Sequence, residues 1–258
     1  MSRAIEVDER FKVDDYERLT TNILTQGFKP SPRIEQREKL WDTSDLYYIN
    51  QRKLIRLRWE YIAKDEKYSK GEFSYKSEPL ENESTIRQDV SLKNLSLDDM
   101  GNLEKLLNKE IQLNGAEPLV EIQKMVRKPF EIIDAEMIKE VTAIFTREDL
   151  KVAISYSKFR DLYSKKLAAF GELTLELDYI PNLEGSIHGT YFLQPSIELK
   201  PEDEYLIRHA KYVVFETARE IGLPKEDYHY PILIVDMLFN HLKGKPIRSS
   251  TPNPALPQ

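Results

Sequence analysis

The chain has 258 residues, enough for one large domain or two small ones with a sizeable hydrophobic core. Its net charge of −6 argues against general nucleic-acid binding, and the absence of cysteine excludes disulfides, zinc–thiolate sites and thiol catalysis. There is no run of about 18 apolar residues and no apolar N-terminal signal, so we expect a cytoplasmic protein without a membrane segment.

The first predicted element is a strand over residues 6–13, whose side chains alternate between two faces. One face carries two carboxylates followed by two cations: Glu6, Asp8, Arg10 and Lys12. Taken alone, the pattern is typical of a solvated strand face. A helix with Leu19 and Ile23 on one side follows, and Gly27 is placed to end it.

Four strands are predicted next, over residues 37–41, 52–61, 72–78 and 85–91. Three of them carry cations on a single parity: Arg56 with Arg58, then Lys76, then Arg87. The short links between these strands favour an antiparallel meander over alternating βαβ units. Without the neighbouring strands, Arg56 and Arg58 are equally consistent with surface charges.

The middle of the chain is predicted to be helical over residues 98–113 and 117–125. Arg127 begins the next predicted strand. In order, the pattern then indicates strands over 127–133, 140–147 and 149–156, the last two as a hairpin, and a basic loop over 159–166.

A second acidic strand is predicted over residues 172–178, which read ELTLELD. One face carries Glu172, Thr174, Glu176 and Asp178, and the other carries three leucines. Acidic and basic strand faces that close on one another would form a polar cavity suited to a metal ion and a polyphosphate.

The pattern changes after this strand. Residues 181–195 are expected to be irregular, and two helices are predicted over 202–221 and 231–242. The proline-rich stretch 246–258 is expected to be disordered.

Several of these segments resemble, in their order along the chain, the motifs of the CYTH superfamily, the triphosphate tunnel metalloenzymes. Glu6-x-Asp8-x-Arg10 resembles its Glu-x-Glu-x-Lys motif. Five further segments resemble its later motifs: WDTSD at 41–45, LIRLR at 54–58, FSYK at 73–76, IRQD at 86–89 and FGELTLELD at 170–178. The resemblance covers residues 4–179 and depends on the shared order, because each motif alone is short.

The resemblance implies an α+β fold in which an antiparallel eight-stranded β-barrel, closed into a tunnel, carries peripheral helices. It divides the chain into a tunnel domain over 1–180, a helical C-terminal extension packed on the barrel over 181–245, and a disordered tail over 246–258. A closed barrel leaves no exposed strand edge and can keep a polar interior.

The resemblance also implies roles for individual residues. Mg²⁺ or Mn²⁺ would be held by Glu6, Asp8 and Glu176, with Glu172 or Asp178 as further candidate ligands. A small molecule that contains a triphosphate would be bound by basic side chains: Arg10, Lys12, Arg56, Arg58, Lys76, Arg87 and Arg127. Glu172 or Asp178, when not bound to metal, would orient or deprotonate the attacking water. These groups are expected to converge in one cavity.

The implied reaction is hydrolysis of inorganic triphosphate or of a nucleoside or thiamine triphosphate. Two alternatives stay open: a class IV adenylyl cyclase that makes cyclic AMP and pyrophosphate from ATP, and a tunnel that binds a nucleotide or polyphosphate without catalysis.

The sequence departs from the superfamily pattern at Asp8, which is shorter than glutamate, at Arg10, which replaces lysine, and at Ser44, which replaces proline. An aspartate expected near Ser155 and Ser157 is absent. The oligomeric state, including a homodimer, also stays open.

Overall fold

The structure is a computed structural model that describes residues 5–9, 11–51, 53–64, 67–77, 89–113, 117–131, 135–183 and 190–223. These residues form an α+β fold with ten strands in one antiparallel sheet. The chain divides into two compact units. The first unit comprises residues 1–34 and 158–258, and the second comprises residues 35–157.

The strands are β1 (Ile5–Asp8), β2 (Phe11–Val13), β3 (Lys29–Pro30), β4 (Ile34–Asp42), β5 (Lys53–Ile62), β6 (Lys67–Ser77), β7 (Asp89–Leu95), β8 (Lys151–Leu167), β9 (Gly171–Leu183) and β10 (Thr190–Leu199). The helices are α1 (Tyr16–Thr25), α2 (Tyr47–Asn50), α3 (Leu97–Leu107), α4 (Pro118–Val126), α5 (Ala135–Thr146) and α6 (Ile207–Glu220), and a 3-10 helix (Pro201–Leu206) precedes α6.

In the first unit, β10 is the central strand. It pairs with β1 and β2 along one edge and with β9 along the other, and β8 follows β9 in the sheet. One face of these strands packs against α1 and α6, because the strands and both helices turn apolar side chains toward this contact. This core includes Val7, Leu173, Leu175, Leu177, Ile197, Leu19, Ile23, Ala210, Val214 and Ala218. The opposite face carries most of the polar side chains of these strands, together with the buried Ile180 and Phe192.

Local capping determines where α1 begins and ends. The side chain of Asp15 accepts a hydrogen bond from the Arg18 amide at 3.0 Å, which satisfies one of the unpaired donors of the first turn. Gly27 follows the last turn with φ of 82°, a conformation that glycine adopts readily. The predicted end of this helix is confirmed.

In the second unit, the strand order is β8, β4, β5, β6, β7, and helices α3, α4 and α5 cover the apolar face. The buried side chains of this core include Ile55, Leu57, Phe73, Tyr75, Met100, Leu103, Ile122, Val141 and Ile144. The antiparallel register places Arg56 opposite Ser74 and Arg58 opposite Glu72. The polar side chains of β5 and β6 therefore share the other face.

The α+β class, the antiparallel sheet and the meander of β4 to β7 are confirmed by this topology. Eight strands lie on one path through the sheet, with β1 and β7 at its ends among the described residues, while β2 and β3 lie off it. The eight-stranded closed barrel is not confirmed by this order and stays a prediction. The predicted helices over 98–113 and 117–125 correspond to α3 and α4.

Three other local predictions are wrong. The first strand of the expected hairpin, 140–147, belongs to helix α5, because Val141, Ile144 and Phe145 are buried at helical spacing. The basic stretch 159–166 is not a loop but the second half of β8. Arg127 does not begin a strand; it follows α4 with φ of 50°, which ends that helix.

The C-terminal predictions have mixed outcomes. Residues 190–199 form β10, where an irregular segment was expected, and α6 confirms most of the helix predicted over 202–221. The helix predicted over 231–242 and the tail over 246–258 lie outside the described residues. The predicted domain boundary after residue 180 is untested. In the part of the chain that the structure describes, no helix has both the length and the apolar character needed to cross a membrane.

Candidate functional site

The polar face of the first unit carries the acidic residues of β9. Leu173, Leu175 and Leu177 are buried in the core, so the residues between them point to the other face. Exposure differs along this row: Glu172 is exposed, Glu176 is half-buried and Asp178 is 2% exposed. The three carboxylates therefore lie in different environments although they share one strand.

Asp178 is held by two cations from β8. Its Oδ2 accepts from Lys158 Nζ at 2.8 Å and from Arg160 Nη2 at 2.7 Å, and its Oδ1 accepts from Arg160 Nε at 2.6 Å. A second carboxylate, Glu176, lies 2.5 Å from Arg160 Nη1. We call Lys158, Arg160, Glu176 and Asp178 the aspartate cluster.

Electrostatics keep Asp178 ionised. Burial alone would raise the pKa of its carboxyl group, but the adjacent charges of Arg160 and Lys158 and their hydrogen bonds outweigh this effect and hold the pKa well below its ordinary value. A carboxylate in this state is a weak proton acceptor. Asp178 therefore fixes the positions of Lys158 and Arg160 and is poorly suited to act as a base.

Asp8 lies on the same polar face. It stands opposite Ser196 across the β1–β10 pair, and its Oδ2 accepts a hydrogen bond from Gln194 Nε2 at 2.6 Å. Gln194 in turn stands opposite Glu176 across the β10–β9 pair. Asp8 and Glu176 thus flank Gln194 on neighbouring strands.

A cavity of about 670 Å³ opens on this unit beside β9 and β10. Its polar lining includes Glu172, Thr174, Glu176, Ser196, Glu198, Lys200 and Asp203. Two of the predicted acidic site residues, Glu172 and Glu176, therefore face a space large enough for small ligands.

Carboxylate oxygens are the ligands that Mg²⁺ and Mn²⁺ prefer. Among the described side chains, no three that are able to ligate a metal form one group. The side chain of Glu6, the third predicted ligand, lies outside that part of the structure; the backbone of Glu6 pairs with Glu198 in the sheet. Of the predicted metal ligands, Asp8 and Glu176 are brought to the same face.

The polar face of the second unit carries a different cluster, built around Glu38 of β4. Glu38 is 2% exposed and receives a hydrogen bond from Arg58 Nε at 2.7 Å and another from the Tyr156 hydroxyl at 2.6 Å. Arg56 Nη1 lies 3.7 Å from the same carboxylate, and Arg56 Nε donates to Ser74 Oγ at 3.1 Å. We call Glu38, Arg56, Arg58, Glu72, Ser74 and Tyr156 the arginine cluster.

Glu72 completes this cluster from the side of β6, with Arg56 Nη2 at 3.5 Å and Arg58 Nη1 at 3.7 Å. Burial alone would raise the pKa of Glu72, but the charges of Arg56, Arg58 and Lys76 outweigh it and keep that pKa below its ordinary value. Burial and the neighbouring Glu38 raise the pKa of Tyr156, so this phenol remains a hydrogen-bond donor. The predicted residues Arg56, Arg58 and Lys76 therefore share one face.

The remaining predicted site residues belong to neither cluster or lie outside the described residues. Lys12 is half-buried on the polar parity of β2 and lies 3.2 Å from Asp14. Arg127 is exposed at the end of α4. Arg10 and Arg87 lie outside the described residues. The convergence of all these groups in one cavity stays a prediction.

Several residues of these clusters were missed by the sequence analysis: Glu38, Glu72, Tyr156, Lys158 and Arg160. Tyr156, Lys158 and Arg160 occupy alternate positions of one long strand, and this alternation was the available signal. It was overlooked because the basic segment was interpreted as a loop. Glu38 had no local signal, since its partners come from other strands.

The amino-acid sequence matches no family model and no curated protein. Its fold, however, is similar to solved structures. HpAC1 from Hippeastrum, a candidate adenylyl cyclase described as having a dominant triphosphatase activity, is 16% identical, with a TM-score of 0.56 over 95% of this chain and 98% of that chain. The PH1819 protein from Pyrococcus horikoshii OT3 is 13% identical, with a TM-score of 0.52 over 92% of this chain and 99% of that chain.

At these identities the likeness concerns the fold. The chain has a fold like that of HpAC1, and this likeness in fold agrees with the resemblance drawn from its motifs. Nearly the full length of each solved chain is matched.

Proposed function

We propose that the protein is an enzyme that hydrolyses a triphosphate substrate with the help of Mg²⁺ or Mn²⁺. The observation that carries this proposal is the arginine cluster, in which two guanidinium groups are largely buried on one strand and fixed by Glu38, Glu72 and Ser74. Guanidinium groups match the geometry of phosphate oxygens, and cations fixed in advance need little reorganisation when an anion binds.

The two polar faces differ in the sign of their excess charge. In the second unit, Arg56, Arg58, Lys70 and Lys76 outnumber Glu38, Glu60 and Glu72, so this face favours phosphate groups. In the first unit, Asp8, Glu172, Glu176, Asp178 and Glu198 outnumber Lys12, Lys158 and Arg160, so this face favours a cation.

Asp8 and Glu176 are the described residues that would hold the metal. Their oxygen donors suit Mg²⁺ and Mn²⁺, and Mg²⁺ is usually held by one or two carboxylates together with phosphate oxygens and water. Glu6 is the third proposed ligand. When bound, the ion would offset negative charge on the phosphate groups.

The two candidates for activating water differ in their environments. Asp178 already accepts three hydrogen bonds from cations, and its pKa lies well below the ordinary value. Glu172 is exposed and lines the cavity beside β9. We therefore assign Glu172 the role of orienting water or accepting its proton, and Asp178 the role of positioning Lys158 and Arg160.

A second candidate function is cyclisation of ATP to cyclic AMP and pyrophosphate. It is favoured by the likeness in fold to HpAC1, which is described as a candidate adenylyl cyclase as well as a triphosphatase. Both reactions break a phosphorus–oxygen bond of a triphosphate, so the same bound substrate serves either one. The two differ in their products.

The test is to measure phosphate, pyrophosphate and cyclic AMP from inorganic triphosphate, ATP and thiamine triphosphate, with Mg²⁺, with Mn²⁺ and with a chelator. The same assays are run on Arg58→Gln and on Arg37→Gln. Arg37 is a matched control because it lies on β4, its side chain is 50% exposed, and it pairs with Glu35 away from the arginine cluster.

Metal-dependent phosphate release that is lost in Arg58→Gln and kept in Arg37→Gln supports the triphosphatase. Cyclic AMP with pyrophosphate supports the cyclase instead. If no substrate is converted but a triphosphate still raises the melting temperature, the protein binds triphosphates without catalysis and the proposed reaction is wrong.

A further inference from the structure

A buried acceptor without a donor lies beside the arginine cluster. Gln36 of β4 is 1% exposed, and no described residue donates a hydrogen bond to its Oε1 atom. Buried acceptors in this state are rare because they forgo the hydrogen bonds that water would give them. Each one that persists in a folded protein needs an explanation, such as a bound water, ion or ligand group at that position.

The orientation of the Gln36 amide is determined by its neighbour. Its Nε2 atom donates to Glu60 Oε1 at 2.7 Å, and Glu60 is itself 8% exposed. An ionised carboxylate only accepts hydrogen bonds, so the nitrogen must face Glu60 and the oxygen must point elsewhere. The acceptor therefore belongs to a fixed side chain. We call these two residues the Gln36–Glu60 pair.

The Gln36–Glu60 pair continues the row of polar residues that contains the arginine cluster. Gln36 lies two positions from Glu38 on β4, and Glu60 lies two positions from Arg58 on β5, so all four occupy one face of the sheet. Along β5, Glu60 stands about 7 Å beyond Arg58 and about 13 Å beyond Arg56, at roughly 3.3 Å per residue. A triphosphate bound along the two arginines would bring the group esterified to it towards this pair.

The chemistry of the pair differs from that of the arginine cluster. Gln36 Oε1 offers an acceptor, and Glu60 Oε2 offers another, with Lys70 Nζ 3.4 Å away. Because Glu60 Oε2 already pairs with Lys70, Gln36 Oε1 is the acceptor left to receive a hydrogen bond from a ligand. The pair thus suits an amine or a hydroxyl.

We infer that the Gln36–Glu60 pair is a specificity site that binds an N–H or O–H group on the organic part of a triphosphate ester. The inference rests on the proposed binding of a triphosphate by Arg56 and Arg58. It favours a triphosphate ester that carries such a donor, as ATP does with the amino group of adenine and the hydroxyls of ribose. Inorganic triphosphate has neither donor.

Two substitutions separate the acceptor from the structural role of Gln36. Gln36→Lys keeps a donor for Glu60 but removes the acceptor, whereas Gln36→Met removes both and adds no charge. Arg37→Gln is the control, since the neighbouring residue on β4 faces away from the pair. Circular dichroism and melting temperature establish that each variant is folded.

Binding is measured by isothermal titration calorimetry at equilibrium without divalent metal, so that turnover plays no part. The probes are ATP and inorganic triphosphate, and the readout is the ratio of their dissociation constants. Loss of one hydrogen bond weakens binding about tenfold. We expect the ratio of the ATP constant to the inorganic triphosphate constant to rise about tenfold in both Gln36 variants and to stay constant in Arg37→Gln.

Three further ligands distinguish the sources of the donor. Inosine triphosphate lacks the amino group of adenine, and 2′-deoxy-ATP and 3′-deoxy-ATP each lack one ribose hydroxyl. The ligand that lacks the recognised donor should bind wild-type protein about tenfold more weakly than ATP and should be insensitive to Gln36→Lys.

An unchanged ratio in both Gln36 variants, or wild-type protein that does not prefer ATP over inorganic triphosphate, overturns the inference and leaves a water molecule as the partner of Gln36. This outcome is distinct from failure of the proposed function. If the ratio of dissociation constants changes but the protein releases no phosphate, the specificity site is supported and the hydrolase is rejected. If the protein releases phosphate but the ratio is unchanged, the hydrolase is supported and the specificity site is rejected.

Discussion

Arg160 grips Asp178 with two parallel hydrogen bonds, Nε to Oδ1 at 2.6 Å and Nη2 to Oδ2 at 2.7 Å, between side chains that are 9% and 4% exposed. Lys158 adds a third bond from the same strand. Removing water from these charges is costly, so the pair persists only because its geometry satisfies both partners. Asp178 thereby contacts two cations on the polar face of the first unit.

Asp178→Asn should therefore destabilise the protein strongly. Removing one charge from a buried pair leaves the partner uncompensated and costs about 3–5 kcal/mol of unfolding free energy. Chemical denaturation at neutral pH measures the loss. Asp161→Asn is the matched control, because Asp161 makes the same two-bonded contact with Arg33, which is 39% exposed. That variant should lose about 1 kcal/mol.

The pH dependence of this effect follows from the lowered pKa of Asp178. A carboxyl whose pKa is lower in the folded than in the unfolded state stabilises the fold above its unfolded pKa of about 4, and this contribution is lost as the pH falls below that value. The stability difference between wild type and Asp178→Asn should be constant above about pH 5 and shrink below about pH 4. A constant difference down to pH 3 would contradict the ion pair as its cause.

Arg58→Lys should weaken triphosphate binding although it keeps the charge. Lysine cannot reproduce the bond from Nε to Glu38 together with the contact to Glu72, nor the forked geometry that suits phosphate. We expect about tenfold weaker binding of inorganic triphosphate by calorimetry. Arg37→Lys, in the exposed Glu35 pair, should bind like wild type. Equal affinities in all three proteins would remove Arg58 from the binding site.

Much of this site follows from alternation along single strands. The period of two in residues 172–178 separates the leucines of the core from Glu172, Glu176 and Asp178, and the same rule applies to Arg56 and Arg58. In each case one face is buried against helices, which makes a shift by one residue costly. These residues could be assigned to a face without any tertiary information.

Other parts depend on contacts that no local pattern contains. Glu38 is buried because Arg58 and Tyr156 reach it from β5 and β8, and that register is set by the whole sheet. The β-branched residues of 140–147 favour a strand, yet packing of Val141 and Ile144 against the core of the second unit makes the segment helical. The unpaired oxygen of Gln36 likewise becomes evident only when its neighbours are in place.

Asp8→Asn tests the proposed metal site. Asparagine keeps a side-chain oxygen that can accept the hydrogen bond from Gln194, so the local structure should persist while the negative charge is lost. We expect the apparent dissociation constant for Mn²⁺, measured by electron paramagnetic resonance, to rise about tenfold or more. Asp98→Asn, at an exposed position in the first turn of α3, is the control. If Mn²⁺ binds Asp8→Asn and wild type equally, Asp8 is not a ligand.

Substituting alanine at two glycines of the second unit should change the free energy of unfolding in opposite directions. A Cβ at Gly71 of β6 would overlap Met100 Cγ and Sδ and lie 2.8 Å from the Tyr68 hydroxyl, whereas a Cβ at Gly101 of α3 would meet no atom within 4 Å. Met100 is fully buried, so Gly71→Ala must displace core side chains and should cost about 1–3 kcal/mol of unfolding free energy. Gly101→Ala should stabilise the protein by about 0.5–1 kcal/mol, because alanine loses less backbone entropy in a helix. Urea denaturation of both variants measures the difference, and a Gly71→Ala variant as stable as wild type would contradict the close packing of β6 on α3.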